Sequence, residues 1–361
     1  TQTDVQIGGA TPGSGNQIVG FWLGIAIHVG GVGLGPIAIE GNYIGTNYDG
    51  TAPLNQNTMA TGIQVLDSPL GAMVPESEIR IGGRLPGAGN VIADSGRGLS
   101  LGGSYRPYVS YSVMGNRIGT DVTGTAALGQ SQAGIYTASC RHLELGGNRP
   151  GEGNIIGGHW ETGVYLGRGG SYLCPATVKG NFIGVGADGT TPLPNGYWGG
   201  IRVNYGHATL VGGTERGAGN VIRNNTGPGV ALPSYYSYGS TAQILGNTIA
   251  DNEASDIYVP YGHENDAGDG NLLDVGIHAQ NYPVITEVAA ANGMTHIRGT
   301  LDTIKPEQCL IEFFANRSTG STGYGQGERW LTALRPNADG EFETLLPEDL
   351  SGLCLLYTSD A

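Results

Sequence analysis

Residues 251–274 carry seven carboxylates: Asp251, Glu253, Asp256, Glu264, Asp266, Asp269 and Asp274. No Lys or Arg lies among them. Such charges repel one another unless they are solvated or bound to metal. Asp266, Asp269, Asn271 and Asp274, with Asn265 nearby, offer hard oxygen ligands on a Gly-rich loop, a set that suits Ca²⁺. Their spacing is not that of an EF-hand, and a solvated acidic linker explains the same composition. Both readings stand at this point.

Aromatic residues offer a second chemistry. The chain has 18 Tyr against 5 Phe. Tyr108, Tyr172 and Tyr238 stand 8, 9 and 9 residues before Asn116, Asn181 and Asn247, with Arg106 and Arg168 beside them. Tyr faces with a few polar neighbours suit sugar rings, which present apolar C–H faces as well as hydroxyls. The plainer account is that these Tyr shield loop backbone, since single surface aromatics are common.

Those Asn residues belong to a longer series: Asn16, Asn42, Asn90, Asn116, Asn154, Asn181, Asn220 and Asn247. Successive spacings are 26, 48, 26, 38, 27, 39 and 27 residues. A short apolar stretch follows each Asn, such as Val91-Ile92 or Phe182-Ile183. A second strand then opens with Gly, as in Gly134-Ile135, Gly163-Val164 and Gly200-Ile201. A third ends in Gly, as in Thr177-Val178-Lys179-Gly180. Runs this short and this Gly-punctuated are strands, not helices. Three strands and three corners make one coil, and a repeating coil makes a solenoid. The Asn row has a structural role, as an amide ladder at one corner.

Two loop types alternate along the series. One reads Ile-Gly-Gly-x-x-Pro-Gly-x-Gly-Asn at 7–16, 81–90 and, with Leu145 leading, 145–154. At 211–220 it degenerates, with Arg216 in the Pro place. The other runs from Ile44 to Thr51, Ile118 to Thr125 and Ile183 to Thr190. The duplication unit is therefore a pair of coils, about 65 residues long. The 48-residue step holds an insertion near residues 66–77. Cys140 and Cys174 fall in consecutive coils just before corresponding strands. Rungs about 4.8 Å apart are within disulfide reach. A bridge is expected, with two buried free thiols as the alternative.

These motifs resemble those of bacterial right-handed parallel β-helix repeat proteins of the large secreted or surface-attached kind. The resemblance covers nearly all of residues 1–262. The segments Asn265-Asp266-Ala267-Gly268-Asp269, Gln280-Asn281-Tyr282-Pro283-Val284 and Ile311 to Asn316 look like a unit that commonly follows such helices. The resemblance implies an extracellular or cell-surface setting and no single activity, because this fold hosts enzymes and binding stalks alike. In the resembled unit the acidic loop continues as Asp-x-Asp with paired Asn. Gly270-Asn271-Leu272-Leu273 stands there instead, which weakens the Ca²⁺ reading.

Enzymes of this fold that resemble polygalacturonases need clustered Asp, a Gly-His-Gly stretch and a basic pair. Gly206-His207-Ala208 and Gly262-His263-Glu264 approximate this poorly. Lyase chemistry needs a basic proton acceptor beside Ca²⁺ carboxylates. Lys179 is the one Lys before residue 263, and its counterparts in other coils are Glu40, Met114 and Leu245. His28, His142 and His159 lack metal-ligand spacing. No residue is assigned a catalytic role.

Charged residues make up 13% of the chain, with a formal net charge of −14. That excludes an electrostatic footprint for nucleic acid. No apolar run is long enough to span a bilayer. The expected class is all-β. A right-handed parallel β-helix of about eight coils covers 1–262, an acidic linker or cap loop 263–281, and a partial antiparallel β-sandwich-like unit 282–346. Residues 347–361 fit no strand register and read as a non-native tail. Residue 1 falls inside a repeat, so the chain reads as a fragment cut at both ends, with any signal peptide upstream. The expected function is a secreted or surface binding and structural protein that engages polysaccharide or a cell-surface glycan. The alternative is a polysaccharide lyase, hydrolase or epimerase whose active coils lie partly upstream.

Overall fold

The structure, a computed structural model, describes residues 3–29, 34–54, 59–67, 77–103, 109–129, 132–169, 172–204, 208–233, 242–258, 281–317 and 327–360. Three parallel sheets of eight strands run side by side along one axis. Each coil of chain contributes one strand to each sheet in turn. The first sheet runs from Thr3–Gly8 to Ala242–Leu245, and the second from Gln17–Ile18 to Thr248–Ala250. The third runs from Leu23–Val29 to Ile257–Tyr258. Eight rungs in each sheet make an eight-coil parallel β-helix.

Alternation along each strand decides what faces inward. The first sheet stacks Ile39, Ile81, Val113, Leu145, Val178 and Val211 in the interior. The second stacks Ile44, Ile92, Ile118, Ile156, Ile183 and Ile222, and the third Ile63, Leu99, Ile135, Val164, Ile201 and Val230. All eighteen are fully buried. Each such side chain contributes roughly 2 kcal/mol of transfer free energy, realised only when a neighbouring coil covers it.

The corner between the first and second sheets holds the Asn ladder. Each Asn side-chain amide donates to the carbonyl oxygen of the next Asn, from Asn16 through to Asn247, at 2.8–3.0 Å. The same oxygen accepts the backbone N–H of the preceding Asn at 3.0–3.1 Å. Gly shapes the approach to this corner. Gly82 has φ +75°, and a Cβ there would collide with the Met114 carbonyl and the Asn116 side chain of the next coil. Left-handed geometry and close approach both demand Gly.

After residue 283 the pattern changes to two three-stranded antiparallel sheets. One pairs Met294–Thr300 with Val284–Ala291 and Glu341–Leu346. The other pairs Leu310–Asn316 with Arg329–Leu334 and Cys354–Asp360. Phe313 and Phe342 meet edge-on between them, ring centroids 5.8 Å apart. The tail expected to fit no register is thus a strand. It pairs residue by residue from Asn316↔Cys354 to Leu310↔Asp360. It supplies the third strand that the sheet needs, and a sheet partner is invisible in a segment read alone.

Candidate functional site

The third sheet carries the largest group of interacting aromatic side chains among the described residues. Strand register sets Ala26, Gln64, Ser100, Tyr136, Tyr165, Arg202, Ala231 and Tyr258 in one outward row. Tyr136 and Tyr165 stack with centroids 5.0 Å apart and planes 9° from parallel. That separation is the rung spacing, so the backbone imposes the stack. The Arg97 guanidinium lies 4.1 Å from the Tyr136 centroid. Trp198 leans on Tyr165 at 6.3 Å, and Arg202 lies over Trp198 at 5.1 Å. Cation–π and ring–ring contacts of these kinds contribute about 0.5–1.5 kcal/mol each.

The two stacked Tyr therefore cover each other's faces and turn their edges outward. Open aromatic faces lie at the corner just before the third sheet. Trp160 is 71% exposed and Tyr197 53%. The Glu161 N–H donates to the Gln132 carbonyl, and the Trp198 N–H donates to the Glu161 carbonyl. Trp160 and Tyr197 each precede one of these paired residues, so they sit one rung apart. Tyr197 also meets Trp198 edge-on at 5.3 Å. Polar groups border the rings: Asn204 Nδ2 donates to the Tyr165 hydroxyl at 2.7 Å, and Arg97 Nε donates to Gln132 Oε1 at 3.1 Å.

This arrangement offers flat apolar faces edged by amide, guanidinium and hydroxyl groups. It can hold a ring with one apolar face and equatorial polar groups. Among the residues just named Glu161 is the one carboxylate, whereas glycosidic cleavage by the usual route needs two. Among the described residues, no group of three or more His, Cys, Asp or Glu is placed to hold a metal ion. No described helix is long and apolar enough to cross a membrane.

Arg106, Tyr108 and Tyr238 lie outside the described residues, as do Asp266, Asp269, Asn271 and Asp274. Arg168 and Tyr172 belong to a small antiparallel hairpin in which Arg168 pairs with Leu173 and Gly169 with Tyr172. Cys140 and Cys174 are joined by a disulfide, their Cα atoms 4.4 Å apart. The Cys140 N–H donates to the Leu173 carbonyl, which sets the two coils in register at that point.

The aromatic corner does leave a signal in the sequence, though not in the spacing from Asn. Tyr136, Tyr165 and Arg202 each stand two residues after a strand-opening Gly, and Trp160 and Tyr197 each stand three before one. Aligning coils on that Gly, instead of counting back from Asn, brings them together. Comparison with known protein families, with curated proteins and with solved structures finds no match.

Proposed function

We propose that this chain is a polysaccharide-binding β-helix of the secreted or surface-attached bacterial kind, and that it grips glycan at the corner formed by Trp160 and Tyr197. The observation that carries the reading is the pair of exposed aromatic faces one rung apart, backed by the Tyr136–Tyr165 stack. A rigid coil holds both rings in place before the ligand arrives, which lowers the ordering cost of binding. Binding is favoured over cleavage because a carboxylate pair is lacking among the corner residues. Ca²⁺ at Asp266, Asp269, Asn271 and Asp274 belongs to the same proposal as a stabiliser of the segment after the helix. A chelator that leaves the melting temperature unchanged would reject it.

The direct test is a glycan array followed by calorimetry on the bound glycan. Trp160→Ala with Tyr197→Ala should weaken binding about tenfold or more, at an unchanged melting temperature. Unchanged affinity would reject the corner. An assay for reducing ends and unsaturated products on the same glycans should stay at background.

A further inference from the structure

A groove opens outside the short second sheet, between the Asn corner and the loops that lead to the third sheet. Its floor is the outward row of that sheet, where Arg117, Ile155, Phe182 and Val221 follow one another rung by rung. One wall is made by the Gly-rich loops 145–154 and 211–220, the other by the hairpin loop that contains Ala187. The open groove has a volume of about 750 Å³, within the range of sites that take organic ligands.

Three arginines line this groove: Arg117, Arg149 and Arg216. They gather in a chain whose formal net charge is −14. The wall carboxylates are already engaged. Glu215 takes Lys179 at 3.7 Å and the Asn148 amide at 3.1 Å. Glu152 is buried and accepts the Arg149 backbone N–H at 3.0 Å. Asp188, beside Ala187, is held by the N–H groups of Thr190 and Thr191 and by the Thr191 hydroxyl. Among the described residues no carboxylate pairs with any of the three guanidinium groups. Arg117 donates to the Gly115 carbonyl at 3.1 Å, while its buried Nε has no described partner.

We infer that this groove binds an anionic polysaccharide, one whose sugars carry carboxylate or sulfate groups. Guanidinium forks match both groups in a bidentate manner. The apolar floor of Ile155, Phe182 and Val221 takes the C–H faces of the sugars. Arg149 and Arg216 come from two loops that touch, since a Cβ on Gly217 would lie 2.3 Å from the Asn148 carbonyl, so both guanidinium groups serve one stretch of ligand. The inference rests on the reading of the chain as a glycan binder for the sugar and on the arginines for the charge. A polyphosphate chain fits worse, because its closely spaced charges would extend past three arginines in a chain whose formal net charge is −14.

The test is titration calorimetry with four probes: an alginate hexamer, a chondroitin sulfate hexamer, cellohexaose, and a single-stranded DNA hexamer. At least one of the two acidic glycans should bind about tenfold or more tighter than cellohexaose. That preference should fade between about 50 and about 300 mM salt. Arg149→Gln with Arg216→Gln should abolish the preference while leaving the melting temperature and cellohexaose binding unchanged, since both side chains are exposed. The alginate and chondroitin sulfate arms tell carboxylate from sulfate recognition. Equal binding of acidic and neutral hexamers, unchanged affinity in the Arg variant, or DNA binding as tight as the glycans would each overturn the inference. Trp160→Ala with Tyr197→Ala should leave the acidic preference in place, so the two glycan readings fail separately.

Discussion

His159 stands where an Asn would stand. A second ladder runs up the corner between the second and third sheets: Asn195 donates to Asn225 at 2.9 Å and Asn225 to Asn252 at 2.8 Å. Asn195, Asn225 and Asn252 also reach back to the carbonyls of Ile156, Ile183 and Ile222. His159 Nε2 makes the matching bond to the Ile118 carbonyl at 3.1 Å. A carbonyl only accepts, so Nε2 carries the proton, and buried Nδ1 is left without a described partner. Burial lowers the His159 pKa to about 4, with the bond to Ile118 opposing. In the unfolded chain it titrates near 6.5. Below that value the unfolded state takes up a proton that the folded state refuses, so stability falls as pH drops from about 6.5 towards about 4. The loss is on the order of 3 kcal/mol at completion. At the top of the ladder Asp256 acts in the other sense. Burial raises its pKa to about 6, against the Asn252 hydrogen bond and with help from Asp251 and Glu328. Its contribution is full below about 3.8 and lost as pH rises through about 6. The two effects oppose across the same window. His159→Asn should extend the ladder and leave the Asp256 effect alone. Urea unfolding of this variant should show stability rising from pH 7 to pH 4.5, where the parent chain is nearly flat. A parallel pair of profiles would refute the assignment.

At the scale of the coil, the first Asn ladder replaces the turn types that usually end strands. Each buried Asn side chain closes at least four hydrogen bonds. Asn154 accepts from Asn116 N–H and Nδ2 at 3.0 and 2.9 Å. It donates to the Val113 carbonyl at 2.8 Å and to Asn181 at 2.9 Å. Removing the amide strands buried donors and an acceptor in neighbouring coils, each costing about 1–3 kcal/mol. Asn154→Ala should therefore cost at least about 3 kcal/mol. Asn16 is exposed at the first rung, and the Asn42 oxygen it donates to keeps the Asn16 N–H as a partner. Asn16→Ala should cost about 1 kcal/mol or less. Chemical denaturation of both variants reads the difference. Equal costs would mean that the ladder follows the fold and does not hold it.

At the scale of the molecule, a solenoid must close its open ends. In the loop-less coils the Gly before Asn donates its N–H to the next loop: Gly41 to Ala88, Gly115 to Glu152, Gly180 to Ala218, all through backbone carbonyls. Among the described residues no further coil follows the one that contains Gly246. The Glu312 carboxylate from the sandwich unit takes that place, accepting the Gly246 N–H at 2.8 and 3.1 Å. Trp330 Nε1 donates to the same carboxylate at 2.8 Å, and Glu312 is 2% exposed. Ile249 and Gly327 exchange two backbone bonds beside it, where a ninth rung would otherwise pair. The sandwich unit thus caps the helix. Glu312→Ala should leave two buried donors unpaired and destabilise the docked state by about 2–5 kcal/mol, whereas Glu312→Gln keeps an acceptor and should cost less. Hydrogen exchange at the last coil separates the two: faster exchange in Glu312→Ala alone is the expected result. Equal protection in both would assign the cap to Ile249 and Gly327.

The coil was legible in the residues. Asn16 to Asn247 are the ladder, the strand-opening Gly residues begin the third sheet, and Cys140 faces Cys174, because each is set by backbone geometry local to one repeat. Left-handed Gly and an amide at a corner impose their own spacing. What only the tertiary structure decided involves contacts between coils of unequal length. His159 joins the second ladder from 36 residues before Asn195, while Asn195 to Asn225 takes 30. His159, Asn225 and Asn252 each follow a first-ladder Asn by five residues, but Asn195 follows Asn181 by fourteen, behind the loop 183–190, so no one offset covers the column. The aromatic corner could be aligned on the strand-opening Gly, but which of its rings touch is set by contacts between coils, and offsets counted from Asn shift with each loop. Glu312 lies 66 residues from Gly246 with no periodicity between them. Cys354–Asp360 becomes a strand only because Leu310–Asn316 leaves an edge unpaired. Local conformation is written in local residues, whereas a partner far along the chain is chosen by the space and the unpaired hydrogen bonds that packing leaves behind.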